Sequence, residues 1–250
     1  LYPQTHVYFA EIVLGKQGDE VTLGSIIPDM LIGRYFNHYE AHSKGAEMLS
    51  FLKRRDLLLD FGKAVATHGF VPQGLDYYGD EKYLDFERGY CFEKARALVQ
   101  ETVEACNIPP EMGWWKAHNI VEMGVESLVS SSDYYSERIK SALFNMCLIS
   151  EIDEMLHGLW KNNDFKFERR IERFAKLVEI ERATAGSLAR IYQVQMRFKH
   201  QVEIDIPRVA RLIERAAEVV DEDLASFFDT TMTMVTKNIN RFFPGAPGNV

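Results

Sequence analysis

The pattern that most constrains this chain lies in its last third. Val209, Ile213, Ala216, Val220, Leu224, Phe227, Val235, Ile239 and Phe242 recur at helical intervals, the spacing of an α-helix that buries one face. The stretches 134–160, 166–200 and 206–242 all carry this periodicity. Alternation of strand type is scarce, and Val202-Glu203-Ile204-Asp205-Ile206 is its one short example. The expected fold class is all-α, a multi-helix bundle with long C-terminal helices.

Glycine and proline divide the chain. They punctuate residues 15–113, then nearly vanish until Pro207 and the Pro244-Gly245-Ala246-Pro247-Gly248 tail. The expected organisation is a helical domain over 1–133, built of short helices and shaped loops, with a helical extension over 134–250 packed on it. Thr5 is the expected N-cap of a helix over 6–14 that Gly15 closes. A turn-rich loop should follow, ending in Gly24-Ser25-Ile26-Ile27-Pro28-Asp29, then a helical stretch over 30–55. The next helix carries Leu57, Leu58, Phe61, Ala64, Val65 and His68 at spacings of three and four. Leu75-Asp76-Tyr77-Tyr78-Gly79-Asp80-Glu81 reads as an aromatic, acidic loop. Helices are expected again over 89–105, ended by Asn107 and Pro109-Pro110, and over 112–130, ended by Ser130-Ser131-Ser132-Asp133.

Several function classes fall away. With 37 acidic against 29 basic residues the net charge is −8, which argues against a broad basic face for nucleic acid. No apolar run approaches the ~18 residues of a membrane-spanning helix, and the first residues lack the basic-then-apolar pattern of a secretion signal. Three widely spaced cysteines, Cys91, Cys106 and Cys147, make no disulfide framework, so a reducing, cytoplasmic setting is the expectation. There is no Gly-x-Ser-x-Gly elbow, phosphate-binding glycine loop, dinucleotide fingerprint, Cys-x2-Cys or His-Asp dipeptide. Glu154-x2-His157 is one copy of a motif that di-iron bundles need twice. The Arg- and Lys-dense stretch 166–199 reads as a solvated helix face, with attachment to a membrane surface as its alternative.

The histidines are unevenly placed. His6, His38, His42, His68 and His118 lie in the first half, and only His157 and His200 follow. His38-x3-His42 sets two imidazoles one helical turn apart, where both can reach one metal or both can sit on the surface. His118-x3-Glu122 shares its helix with Trp114, Val121, Val125 and Val129, which brings the pair to the apolar face. A carboxylate there must be paired, protonated or metal-bound. Alone, it also reads as a core histidine bonded to its own glutamate. His68 continues the apolar stripe of its helix, which by itself describes a satisfied core histidine. His6 falls in a first helical turn, where the dipole favours the neutral, ligating imidazole. Asp29 follows a proline that stiffens its position, and the same pair serves an ordinary turn.

Taken in order, His6, the Gly24-to-Asp29 segment, His38 or His42, His68 near a helix end and His118-x3-Glu122 resemble the zinc-dependent phospholipase C family. That all-α family includes bacterial phosphatidylcholine-hydrolysing enzymes and is related to fungal zinc nucleases. The resemblance covers residues 1–130, and 134–250 have no counterpart in it. It implies that His6, Asp29, one of His38 and His42, His68, His118 and Glu122 ligate metal, with Asp29 also the general base. Two departures stand out. Pro72 occupies the position, four residues after His68, where the family commonly has aspartate, so that Asp76, the nearest carboxylate, would need a bent path to replace it. A further family histidine between the positions of His68 and His118 is missing. A one- or two-metal site is expected rather than a three-zinc cluster.

The expected function is metal-dependent hydrolysis of a phosphate ester, whether phospholipid, nucleotide or small phosphoester. The mixed nitrogen and oxygen donors suit zinc, and manganese or iron are also compatible. Asp76, Tyr77, Tyr78, Asp80 and Glu81 are read as an entrance wall or, more plainly, a solvated loop with packing tyrosines. The competing expectation is a non-catalytic binding or scaffold protein that self-associates through its C-terminal helices, its histidines structural or a degenerate site.

Overall fold

The computed structural model describes residues 1–161, 165–176 and 181–242, so the Pro244-to-Gly248 tail lies outside the described residues. The helices run α1 (Pro3–Leu14), α2 (Asp19–Leu31), α3 (His38–His42), α4 (Gly45–Lys53), α5 (Leu59–His68), α6 (Tyr90–Ala95) and α7 (Val99–Cys106). They continue with α8 (Gly113–Val129), α9 (Tyr134–Phe144), α10 (Met146–Trp160), α11 (Phe167–Ala175), α12 (Ala185–His200), α13 (Ile206–Asp221) and α14 (Leu224–Asn240). The fold is all-α, with long helices at its C-terminal end. Among the described residues the sole strand-type pairing is an isolated bridge between Ile32 and Phe36. No helix of the described residues is long and apolar enough to cross a membrane. Cys91, Cys106 and Cys147 are free thiols.

The C-terminal stripe is buried as its spacing requires, from Val209 through Val220 on α13 to Ile239 on α14. Several local expectations give way to tertiary contacts. The long periodic stretches break where polar residues serve as caps: Asn145 accepts from Leu148 N–H at 3.2 Å and opens α10. The strand-like segment 202–206 makes no ladder. Ile204 N–H donates to Gln193 Oε1 at 2.7 Å and Asp205 N–H to the Ala105 carbonyl at 2.8 Å, after which Asp205 caps α13. The stretch 30–55 divides at Gly33, whose φ of 150° no ordinary helical residue adopts.

Two local elements depart from their sequence pattern, and both bear on the site. Thr5 is not an N-cap; α1 begins at Pro3, and its open N–H groups are met from another helix. Glu126 of α8 accepts from Gln4 N–H at 2.9 Å, Thr5 N–H at 2.8 Å and the Thr5 hydroxyl at 2.7 Å. The expected loop through Gly24 and Asp29 is instead the body of α2, with Pro28 inside the helix. Proline removes one intrahelical bond and normally ends a helix. Here the flanking residues Leu23, Ile26, Ile27 and Leu31 are all fully buried, and packing holds the helix through the proline.

Two apolar clusters make up most of the core. One gathers Val121 and Val125 of α8 with Val209, Ile213 and Phe227 of the last two helices. The other gathers Leu23 and Ile27 of α2 with Phe61 and Val65 of α5 and Ile149 and Ile152 of α10. Helix α1 runs between them, giving Phe9 to the first and Val7 to the second.

Helices α2 and α5 meet at Gly24, where an added Cβ would lie 2.4 Å from the Phe61 carbonyl oxygen and 2.8 Å from Ala64 Cβ. Gly24→Ala should therefore force the pair apart and cost about 1–3 kcal/mol, lowering Tm by roughly 2–12 °C. Gly158→Ala, whose Cβ would meet only Phe51 Cζ at an ordinary 3.6 Å, should be neutral or mildly stabilising in the same melt. Equal Tm values for the two variants would contradict this packing.

Candidate metal centre

Three short helices deliver three imidazoles to one carboxylate. His68 ends α5, and its Nδ1 lies 2.5 Å from the Ser25 carbonyl of α2. His42 ends α3, and its Nδ1 lies 2.9 Å from the His38 carbonyl. A carbonyl can only accept, so in the neutral rings both Nδ1 atoms carry the proton and both Nε2 atoms present a lone pair. The ends of α3 and α5 touch through Gly69, where a Cβ would sit 2.0 Å from the His42 carbonyl oxygen, and Phe70 N–H donates to that oxygen at 2.7 Å. His6, on α1, stacks on the His68 ring with centroids 3.6 Å apart.

Asp76 is the carboxylate they share. After the Pro72 turn, closed by Gly74 N–H on the Gly69 carbonyl at 2.7 Å, the chain bends back and buries this side chain. Asp76 Oδ1 lies 3.2 Å from His6 Nε2, and Oδ2 lies 3.1 Å from both His42 Nε2 and His68 Nε2. Asp29 Oδ1 is 3.5 Å from His42 Nε2. Despite these distances His6 Nε2 and His68 Nε2 are buried without a hydrogen bond. Lone pairs facing lone pairs in a buried site repel unless protons or a cation stand between them. Donors on a tetrahedral metal at ~2.0–2.1 Å lie roughly 3.3 Å apart, close to the spacings found here.

A second group lies beside the first. His118 and Glu122 occupy one face of α8, with His118 Nε2 3.9 Å from Glu122 Oε2. Asp80 completes the triad, its Oδ1 buried and without a hydrogen-bond partner. His118 stacks on Phe92 at 4.1 Å, and Asn119 Nδ2 donates to Glu122 Oε2 at 3.0 Å. Three triads thus have ligand atoms within 4.8 Å of one another: His6, His68 and Asp76; Asp29, His42 and His68; Asp80, His118 and Glu122. Between the groups the Leu1 ammonium pairs with Asp76 Oδ1 at 2.8 Å and Glu122 Oε1 at 2.9 Å.

Burial and charge set the protonation states. Burial pushes the His68 and His118 imidazoles down to about 4, so both are neutral at pH 7. Burial pulls His42 the same way, but the hydrogen bonds its ring donates to Asp29 and Asp76 outweigh it and raise it to about 10. Burial works against ionising Asp76, yet the Leu1 ammonium and then His6 hold its carboxyl well below the usual range. For Asp29, His42 does the same. Asp80 goes the other way, raised by burial and by the Glu122 charge.

The structure therefore brings together His6, Asp29, His42 and His68, and separately His118 and Glu122. His38 stays out of both groups: it is exposed, its ring stacked on His42 at 4.1 Å, and it contributes its carbonyl. The supposed loop 75–81 is a short helical segment with a π turn over Tyr77–Glu81; it supplies Asp76, which the sequence offered only as a replacement needing a bent path, and Asp80, which the sequence did not mark as a ligand. Their four-residue spacing was the available signal, masked by the paired tyrosines and Gly79. Both groups open on a cavity of about 1220 Å³ lined by Asp29, His42, Asp76, Asp80, His118 and Glu122.

No protein-family model matches the chain, and no curated protein or solved structure matches it either.

The two histidines of the His38-x3-His42 pair should separate in a metal titration. If the cluster binds a divalent metal, adding that metal to metal-free protein should raise Tm, with about 2.7 kcal/mol of linked stability at a hundredfold excess over Kd. His38→Ala should keep that response and His42→Ala should lose most of it. The reverse order would refute the orientation of α3.

Proposed function

We propose that the protein is a metal-dependent hydrolase of phosphate esters, with zinc as its metal and manganese or iron as compatible substitutes. The observation that carries this reading is the pair of buried, unpartnered imidazole nitrogens, His6 Nε2 and His68 Nε2, that face the Asp76 carboxylate at 3.2 and 3.1 Å on the floor of an open cavity. The unpartnered His6 Nε2, His68 Nε2 and Asp80 Oδ1 fit a divalent cation by their donor chemistry. His6, Asp29, His42, His68 and Asp76 would hold one ion, and Asp80, His118 and Glu122 a second. Support for membership of the zinc-dependent phospholipase C family comes from the order of these residues along an all-helical chain, with Asp76 supplying a carboxylate to His6, His42 and His68 where Pro72 stands at the family's aspartate position.

When bound, such cations supply Lewis acidity that acidifies water and neutralises phosphoryl oxygen charge, which suits phosphoester hydrolysis. The chain's own residues set the rest. The carbonyls of Ser25 and His38 hold the His68 and His42 rings in the ligating tautomer, as outer partners of metal histidines do. Asp29 keeps a quarter of its side chain exposed to the cavity. We assign it the positioning of the attacking water and the acceptance of its proton.

Protein purified without added metal should contain at least one zinc per chain and hydrolyse bis(p-nitrophenyl) phosphate. Chelation should abolish turnover and added zinc should restore it. Asp76→Asn should lower both metal content and rate, by more than the ~10–100-fold that loss of an outer-shell partner costs. Substoichiometric metal, with no change in Tm on chelation, would leave the helical scaffold as the correct description.

A further inference from the structure

The wall of the cavity has a character of its own. Although the chain carries a net charge of −8, the cavity above the acidic floor is lined by cations from three helices. On α11 and at its N-cap they are Lys166, Arg169, Arg170 and Arg173, at offsets of zero, three, four and seven, which is one helical face. Lys199 near the end of α12 and Lys116 of α8 line it too. Among the described residues none of Lys116, Arg169, Arg173 and Lys199 is paired with an acid, and Lys116 is buried.

Arg170 has a different task. Its Nη1 donates to the Met30 and Leu31 carbonyls, at 2.9 Å each. These belong to the last turn of α2, the turn that also presents Asp29, where a cation meets the unpaired carbonyls and negative end of the helix. Arg170 thereby fixes α11 beside the metal centre, with Arg169 and Arg173 set along the same wall.

We infer that the substrate carries a second anionic group besides the scissile phosphate, received by Arg169 and Arg173 with Lys116 and Lys199. This rests on the metal-hydrolase reading. Two divalent ions would cancel the charges of Asp29, Asp76, Asp80 and Glu122, leaving the cations of the wall without a counter-charge. A singly charged diester lying on the metals satisfies none of them. A substrate bearing a further phosphate satisfies them, because guanidinium groups match phosphate oxygens bidentately. That group belongs either to a soluble phosphorylated molecule or to a phosphorylated lipid headgroup. Tyr39, Trp115 and Phe198, each more than half exposed on the cavity lining, make the lipid arm worth measuring.

The test is calorimetric titration of the metal-loaded protein, wild type and variants brought to equal metal content, with inorganic tripolyphosphate and with orthophosphate, at fixed ionic strength. Tripolyphosphate should bind more tightly than orthophosphate. Arg169→Ala/Arg173→Ala should weaken it at least ~10-fold, and Arg169→Lys/Arg173→Lys should recover part of the loss. An unchanged Tm establishes that the exposed arginines were not structural. Binding to phosphatidylcholine vesicles doped with a phosphorylated inositol lipid, lost in the double alanine variant, assigns the headgroup; tripolyphosphate binding alone assigns the soluble source. Equal affinity of wild type and double variant for tripolyphosphate would overturn the inference. Metal uptake is read separately, so a protein that binds zinc yet shows equal affinities defeats this inference alone. A protein that takes up no zinc defeats the hydrolase reading instead.

Discussion

The architecture turns on the Asp76 carboxylate, a buried anion around which His6, His42 and His68 converge from three helices. Bringing one carboxylate and three imidazoles out of water costs several kcal/mol unless their charges and lone pairs are matched. The fold accepts this cost and then removes each ring's means of escape. His68 is tied to the Ser25 carbonyl, His42 to the His38 carbonyl, and His6 is stacked on His68. Rings fixed in this way cannot turn away from Asp76 to find better partners. A core selected for stability alone would fill the same space with apolar side chains, as α2 and α5 do around Leu23, Ile27 and Phe61. Such a concentration of unmatched polar atoms is characteristic of a site that receives a ligand.

How much of this was legible in the sequence depends on what fixed each element. The helices α8, α13 and α14 were readable because one apolar stripe decides both where they form and which face they bury. The caps at Gly15 and Asn107 were readable because a left-handed residue closes the helix locally. Where a distant residue decides, the local signal misleads. Thr5 has the chemistry of an N-cap, but Glu126, 121 positions away, takes that role. Pro28 announces a break that the packing of α2 on α5 suppresses.

The candidate site divides along the same line. His6, His68 and the His118-x3-Glu122 pair could be singled out by their place on helical faces. Choosing between His38 and His42 could not, because both lie on one short helix and only the contact at Gly69 shows which faces inward. Asp76 was harder still. Its position depends on a turn of six residues returning the chain to its starting point, and nothing in the residue types of that turn announces its closure onto Gly69.

The half of the chain without candidate ligands has a definable part in the site. On α8, His118, Glu122 and Glu126 lie on one face at successive turns, and each meets something different. His118 stands with Asp80 in the second cluster of candidate ligands, Glu122 faces the Leu1 ammonium, and Glu126 grips the first turn of α1. That last contact fixes where α1 starts, and so where His6 stands relative to His68. Helix α8 also packs on α13, most closely at Gly124, where an added Cβ would lie 2.8 Å from Ala217 N and 3.1 Å from Ala216 Cβ. The register of α13 against α8 therefore sets the height of Glu126, which sets α1, which sets His6 against Asp76. Because close-packed interiors transmit displacement rather than absorb it, a change in the apolar stripe of α13 reaches the candidate site through α8 and α1. The periodicity that made residues 206–242 recognisable as helix is, on this reasoning, part of what aligns the two groups of candidate ligands.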